Sequence, residues 1–275
     1  MRLWVRDFSW LQSVYRGSAA AGASCHEVRH GSQHEEAGRL RSLSGVEALI
    51  VYVPLGNGPL RRAIIAAGHG MIVCRPHFGL PKLECPWVFD NGAFVDFLNG
   101  SDFDGDGFER CVIRLMDIQP CQRPEWSVVP DIVASPKSLP FSVHWRETLP
   151  DDLKWYLAIQ DGMTPELVDS AFTKVPFDGL FIGGSSAWKN SMACEWVKYG
   201  HGRKLPVHIG RVNGWKRLQW AVNIGADSVD GTGWTRDPRW LAFLQDLPKK
   251  ERMLWDAEPH AGSYRSLESR PASGA

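Results

Sequence analysis

The chain has 275 residues, 44% of them hydrophobic and 23% charged, with Lys+Arg and Asp+Glu both at 31. That composition suits one large domain or two small ones with a sizeable core, and it excludes a histone-like protein held to nucleic acid by bulk charge. No apolar run approaches the roughly 18–20 residues of a membrane span, and the start, Met1 to Asp7, has no signal-peptide core behind its charges, so a cytosolic protein is expected.

Residues 1–40 read as a loosely ordered leader. Residues 17–24 are small and of low complexity, and His26, His30 and His34 at i, i+4, i+8 fit a solvated polar segment better than a metal stripe, because no Cys or carboxylate pattern accompanies them. Residues 41–250 carry alternating strand and helix patterns, and 251–275 form a polar tail. Strands are predicted over 48–53, 71–74, 87–89, 111–116, 131–134, 155–159, 179–182, 207–209 and 226–229. Their near-continuous apolar runs indicate strands covered on both faces, as in a parallel sheet. A helix is predicted over 59–67. Thr164 with Pro165 starts another, and Asn213 is expected to cap a third that ends before Gly225. Such repeats over about 200 residues make either an open doubly wound sheet or a (β/α)8 barrel. No GxGxxG follows the first strand, so the single-domain α/β TIM barrel is preferred.

In a barrel the functional residues gather at the C-terminal ends of strands. Five predicted strand ends share that register: Asp90-Asn91-Gly92-Ala93-Phe94, Gln160-Asp161-Gly162, Gly183-Gly184-Ser185-Ser186, Gly210-Arg211-Val212-Asn213 after His208, and Asp230-Gly231-Thr232. Each alone reads as a turn or cap; together they argue for a site. Two carboxylates, Asp90 and Asp230, suit glycosidic chemistry, in which one attacks an anomeric carbon and the other handles protons. Gly183-Gly184 lets backbone N–H groups approach a flat ligand, and Gln160 offers a donor and an acceptor to a heterocycle edge.

These segments resemble the tRNA-guanine transglycosylases, and more closely their DpdA-like paralogues of phages and bacteria, which insert 7-deazapurines into DNA. Asp90 to Phe94 is similar to the family's Asp-Ser-Gly-Gly-Phe segment, whose aspartate is the acid/base. Residues 158–162 resemble its Val-Gln-Gly segment, residues 179–184 its Gly-Gly-Leu-Ala-Val-Gly strand, and residues 225–230 its Gly-Val-Asp-Met-Phe-Asp strand, which ends in the nucleophile. The resemblance spans residues 47–245. It implies a barrel that exchanges guanine for a 7-deazaguanine of the preQ0 type through a covalent glycosyl-aspartate. Asp230 would be the nucleophile and Asp90 the acid/base, and the base would lie among Asn91, Gly92, Phe94, Asp131, Gln160, Gly183, Gly184 and His208. It implies no redox or nucleotide cofactor.

Two departures distinguish the chain from the tRNA enzymes. No cysteine follows Asp230, so the zinc subdomain is expected to be missing and no metal is predicted; the six scattered cysteines read as incidental thiols. The stretch from Asp131 aligns with a strand whose following aspartate recognises guanine, yet Ala134-Ser135-Pro136 follows here. Asp131 itself is the candidate replacement, against the alternative of a strand cap. Both departures favour DNA as partner.

Between Trp188 and Arg217 seven basic residues (Lys189, Lys198, Arg203, Lys204, Arg211, Lys216, Arg217) stand against one acid, Glu195, interleaved with Trp188, Trp196, Tyr199 and Trp215. Phosphate contact with base stacking is weighed there against a solvated helix face over core aromatics. Lys189, Arg211, Lys216 and Arg217 are the candidate nucleic-acid contacts. The thirteen tryptophans divide between core and stacking surface in a way composition does not resolve. Asp102 to Gly107 begins like a calcium loop, but Ile113 stands where a bidentate Glu is needed, so a solvated acidic turn is expected. The rival readings are the same exchange on tRNA, a barrel that binds nucleic acid or a deazapurine without turnover, and a sugar-cleaving glycosidase.

Overall fold

The computed structural model describes residues 49–81 and 84–247. The expected leader, its histidine stripe and the polar tail lie outside them. Eight strands close into a barrel in chain order, every neighbouring pair parallel. They are β1 (Ile50–Pro54), β2 (Gly70–Cys74), β3 (Trp87–Asp90), β4 (Ser127–Val128), β5 (Trp155–Ile159), β6 (Gly179–Ile182), β7 (Val207–Ile209) and β8 (Ser228–Asp230). The helices are α1 (Pro59–Ala66), α2 (Ala93–Leu98), α3 (Gly105–Asp117), α4 (Ser138–Arg146), α5 (Pro165–Phe172), α6 (Ser186–Gly202), α7 (Trp215–Asn223) and α8 (Trp240–Gln245). This is the TIM barrel architecture, with one irregular unit. Among the described residues between β2 and β3 there is a 3-10 turn, Arg75–His77, and no α-helix, while α2 and α3 both follow β3. Among the described residues no helix is long and apolar enough to cross a membrane.

Two cores result. The larger lies between the sheet and the helices. The smaller fills the barrel: Tyr52, Ile72, Val88, Trp126, Val128, Tyr156 and Ala158, with Ile50 and Phe181 against them. Trp126 stacks on Tyr156 with centroids 4.4 Å apart, and Phe181 stacks on His208 at 4.9 Å. Each Trp, Tyr or Phe side chain so buried removes roughly 150–250 Å² from water, about 4–6 kcal/mol before entropy costs. Room for the rings comes from Gly179, where a Cβ would lie 2.5 Å from the Tyr156 ring. All ten described tryptophans are buried or packed on the core, so none forms an open stacking surface.

Several elements differ from expectation. Residues 111–116, read as a strand, belong to α3. Phe108, Cys111, Val112 and Leu115 are buried at helical spacing while Ile113 faces outward at 61% exposure. The fourth strand is the two-residue β4, before Pro130, and residues 131–134 form the turn after it. Thr164 caps α5 as expected, its hydroxyl accepting from the Leu167 N–H. Asn213 does not cap α7; Gly214 stands at that position without a side-chain bond. The Asn213 amide oxygen instead accepts from the Gly233 N–H at 2.7 Å and ties the loop after β7 to the loop after β8. Within the calcium-like turn, Asp104 caps α3 and receives Arg75 at 2.6 Å.

Candidate active site

Side chains of a strand alternate between the two faces, so the barrel interior is read two residues at a time. After interior Ile72, Val88, Ala158 and Ser228 come Cys74, Asp90, Gln160 and Asp230. The aromatic plug therefore ends, at the C-terminal mouth, in a polar layer.

Asp230 is held by β7 and the loop behind it. The Val212 N–H donates to its main-chain carbonyl at 2.7 Å. His208 Nε2 lies 3.0 Å and the Arg211 N–H 3.1 Å from Oδ1. Among the described residues no hydrogen bond reaches Oδ2. His208 is wholly buried, and burial pushes its imidazole below the usual range against the opposing pull of Asp230. A neutral ring beside a carboxylate carries its proton on Nε2, leaving Nδ1 to accept from the Ser228 hydroxyl at 2.9 Å. With its two nitrogens so engaged and its ring between Phe181 and Trp126, His208 supports Asp230 from below and presents no edge to a base, contrary to the expectation that it binds one.

Asp90 is half-buried beside Cys74, its register partner, whose thiol lies 3.8 Å from Oδ1. The Gly92 N–H donates to the same oxygen at 2.6 Å. Burial pushes its carboxyl up to about 6; the Gly92 bond opposes this, and the negative charge of Asp230 adds to it. The two aspartates thus interact across the mouth. The loop that carries Asp90 is fastened by Arg75, which sequence reasoning missed. Its guanidinium donates to the Asn91 carbonyl at 2.9 Å and pairs with Asp96 and Asp104. The only local signal was its place directly after an apolar run.

Beside this pair lies a buried network around Asp131. Asn91 Nδ2 donates to Asp131 Oδ1 at 2.7 Å and Gln160 Nε2 to Oδ2 at 2.5 Å. Asn91 Oδ1 accepts from the Ala93 N–H at 2.8 Å, and Gln160 Oε1 accepts from the Ala134 and Gly184 N–H groups, both at 2.9 Å. Asn91 is committed to this network at both ends. Gln160 has its oxygen doubly engaged, so its expected paired donor and acceptor are not both open to a heterocycle. Asp131, pushed up to about 7 by burial against its amide bonds, is the acidic group of this wall. Because β4 precedes Asp131, this strand end does carry an acid, contrary to expectation.

The opposite wall carries Arg211, in the left-handed conformation at φ 61°. Its guanidinium lies 4.3 Å over the Phe94 ring, donates to the Gly183 carbonyl at 3.3 Å and also bonds the Gly184 carbonyl. It joins three of the residues expected to meet the base. Lys189, expected to touch phosphate, is 1% exposed with Nζ on the Gly210 carbonyl, so the structure corrects that assignment. The basic run does not make one patch. Because α6 runs back along the barrel, Arg203 and Lys204 fall at the far end, with Arg203 on Asp169. Lys216 is exposed at the start of α7 beside Arg217, which donates to Asn190 Oδ1 at 2.5 Å.

The chain matches no protein-family model and no curated protein. Among the described residues, no group of three His, Cys, Asp or Glu is placed to hold a metal ion. A groove of about 770 Å³ lined by His201, Lys204 and Asp227 opens at the N-terminal ends of β7 and β8, away from these carboxylates.

Proposed function

We propose that the protein is a base-exchange glycosyltransferase that replaces guanine in DNA by a 7-deazaguanine. The observation that carries the reading is the pair of interacting aspartates at one barrel mouth in unlike surroundings. Asp90 is raised by burial toward the protonated form, while Asp230 has one oxygen fastened by two donors and the other unengaged among the described residues. Unlike environments for two carboxyls are what separate an acid/base from a nucleophile.

In the proposed reaction Asp230 Oδ2 attacks the anomeric carbon of the deoxyribose. The bond to guanine N9 breaks, its electron pair leaves with the base, and the proton on Asp90 neutralises the departing guanine. The incoming 7-deazaguanine gives its N9 proton to Asp90 as N9 attacks the same carbon and displaces the Asp230 carboxylate. Asp131 supplies acceptors for the N1–H and exocyclic amine of a guanine-type edge, since each carboxylate oxygen has a second lone pair beyond its amide bond. The target nucleotide must leave the stack, at a cost of a few kcal/mol in a duplex and less in a single strand. DNA is favoured over tRNA because the strand-end segments at 90–94, 158–162, 179–184 and 225–230 resemble the DNA-acting paralogues more closely than the tRNA enzymes. The same reading places the protein in the cytoplasm, that of the host if it is phage-encoded.

The test is base exchange in vitro. Guanine-labelled DNA and matched tRNA are incubated with the protein and a panel of 7-deazaguanines, and released guanine and digested nucleosides are measured by mass spectrometry. Exchange in DNA, lost in Asp230→Asn, supports the proposal. Exchange confined to tRNA moves the protein to the RNA branch, and binding with no exchange or trapped adduct in either makes it a binding module.

A further inference from the structure

We propose that Lys189 is a positioning residue for Asp230, acting through the peptide that joins Gly210 to Arg211; this rests on the glycosyl-transfer reading above. Lys189 sits in the first turn of α6, where Ser186, Ala187 and Asn190 are exposed. A lysine there ordinarily extends its amine to water. This one is turned inward and is among the largest fully buried side chains of the described residues. Among those residues its one hydrogen-bond partner is the Gly210 carbonyl, and no carboxylate lies within ion-pair distance. Burying an ammonium on a single neutral acceptor is costly, and packing alone would be served as well by methionine.

The bond makes sense through what the peptide does at its other end. The carbonyl of Gly210 and the N–H of Arg211 belong to one peptide unit, and that N–H donates to Asp230 Oδ1 at 3.1 Å. Arg211 turns left-handed at φ 61°, a conformation that costs a non-glycine residue roughly 1–2 kcal/mol. The turn aims the N–H at the carboxylate side chain, while the next N–H, of Val212, takes the Asp230 main-chain carbonyl. Gly210 is hemmed in as well, since a Cβ would lie 2.7 Å from the Phe181 ring. An ammonium on the carbonyl fixes the peptide plane and polarises the N–H, strengthening its bond to Oδ1. Two donors then hold Oδ1 and orient Oδ2 toward the anomeric carbon. Burial and the neighbouring Arg211 charge lower the Lys189 ammonium to about 7, the cost of its position.

The test pairs NMR of the full chain with kinetics of the covalent step. In Lys189→Met the Arg211 amide proton should move upfield, as its bond to Asp230 weakens, while the Asp227 amide at the far end of β8 stays in place. The kcat for adduct formation should fall roughly tenfold with KM for DNA unchanged, and Lys189→Arg should restore most of it. A folded Lys189→Met with an unmoved Arg211 amide and a wild-type adduct rate overturns the proposal, as does a rise in KM at constant kcat. If Lys189→Met does not fold, Lys189→Gln, a neutral donor, decides by the same shift. If the wild type exchanges no base at all, the base-exchange reading falls. The Arg211 amide then still decides whether Lys189 governs the peptide.

Discussion

Replacing Asp131 by asparagine separates the cost of burying a carboxylate from the value of its hydrogen bonds. Asp131 is 5% exposed, and burial raises its carboxyl from 3.8 to about 7 despite the amide bonds from Asn91 and Gln160; the charge of Asp90 adds to the rise. The folded protein therefore holds this proton more tightly than the unfolded chain. The resulting stabilisation is fully present below about pH 3.8 and declines by about 1.4 kcal/mol per pH unit as pH rises toward 7. It is gone above that, a total of about 4 kcal/mol. The amide in Asp131→Asn does not titrate, so the stability of wild type minus variant should fall by that amount across the same window. A constant offset comes from the amide group itself. One end of it would set an NH2 against Asn91 Nδ2 or Gln160 Nε2, and Gln160 cannot turn over because its oxygen holds the Ala134 and Gly184 N–H groups. That costs about 1–3 kcal/mol. Wild type should be the more stable at pH 4, and the variant should draw level or overtake it by pH 8. Urea unfolding at half-unit pH steps, followed by circular dichroism, measures the difference. A difference that is flat or rises between pH 4 and 8 would refute the account of a desolvated Asp131. Because Asp90 and Asp131 interact, the amplitude should shrink in an Asp90→Asn background.

Three further outcomes are expected. Single-turnover release of guanine should decline as pH rises through about 6, the value to which burial lifts Asp90; Asp90→Asn should erase that limb and slow release about 10²- to 10⁴-fold. Gly210→Ala should destabilise the fold by about 1–3 kcal/mol in urea titrations, because its Cβ would meet the Phe181 ring at 2.7 Å. Lys216→Ala, at an exposed position near the mouth, should weaken DNA binding evenly across sequences and reduce the slope of log K against log salt by about 1.

Much of the barrel is written locally. The runs at 155–159, 179–182 and 207–209 are apolar almost throughout because both faces of a barrel strand are covered, and Thr164-Pro165 carries a helix start in two residues. Asp90 and Asp230 were legible for the same reason, as acidic residues where an apolar run stops. Residues 111–116 were not, since a short apolar run suits a buried strand and one face of a helix equally. Nor was β4, two residues long, whose displacement moved Asp131 from the start of an expected strand to the loop that follows a real one. The character of the site came from contacts far apart in the chain. Asp131 takes its amides from residues 40 and 29 positions away, and Lys189 meets a carbonyl 21 residues on. A pattern along the chain reports which side chains face inward. Proton affinity and charge burial depend on which groups lie beside them once the barrel closes, and desolvation acts through space. Lys189 reads in sequence as an exposed cation for phosphate contact, and only the closed barrel makes it a buried one.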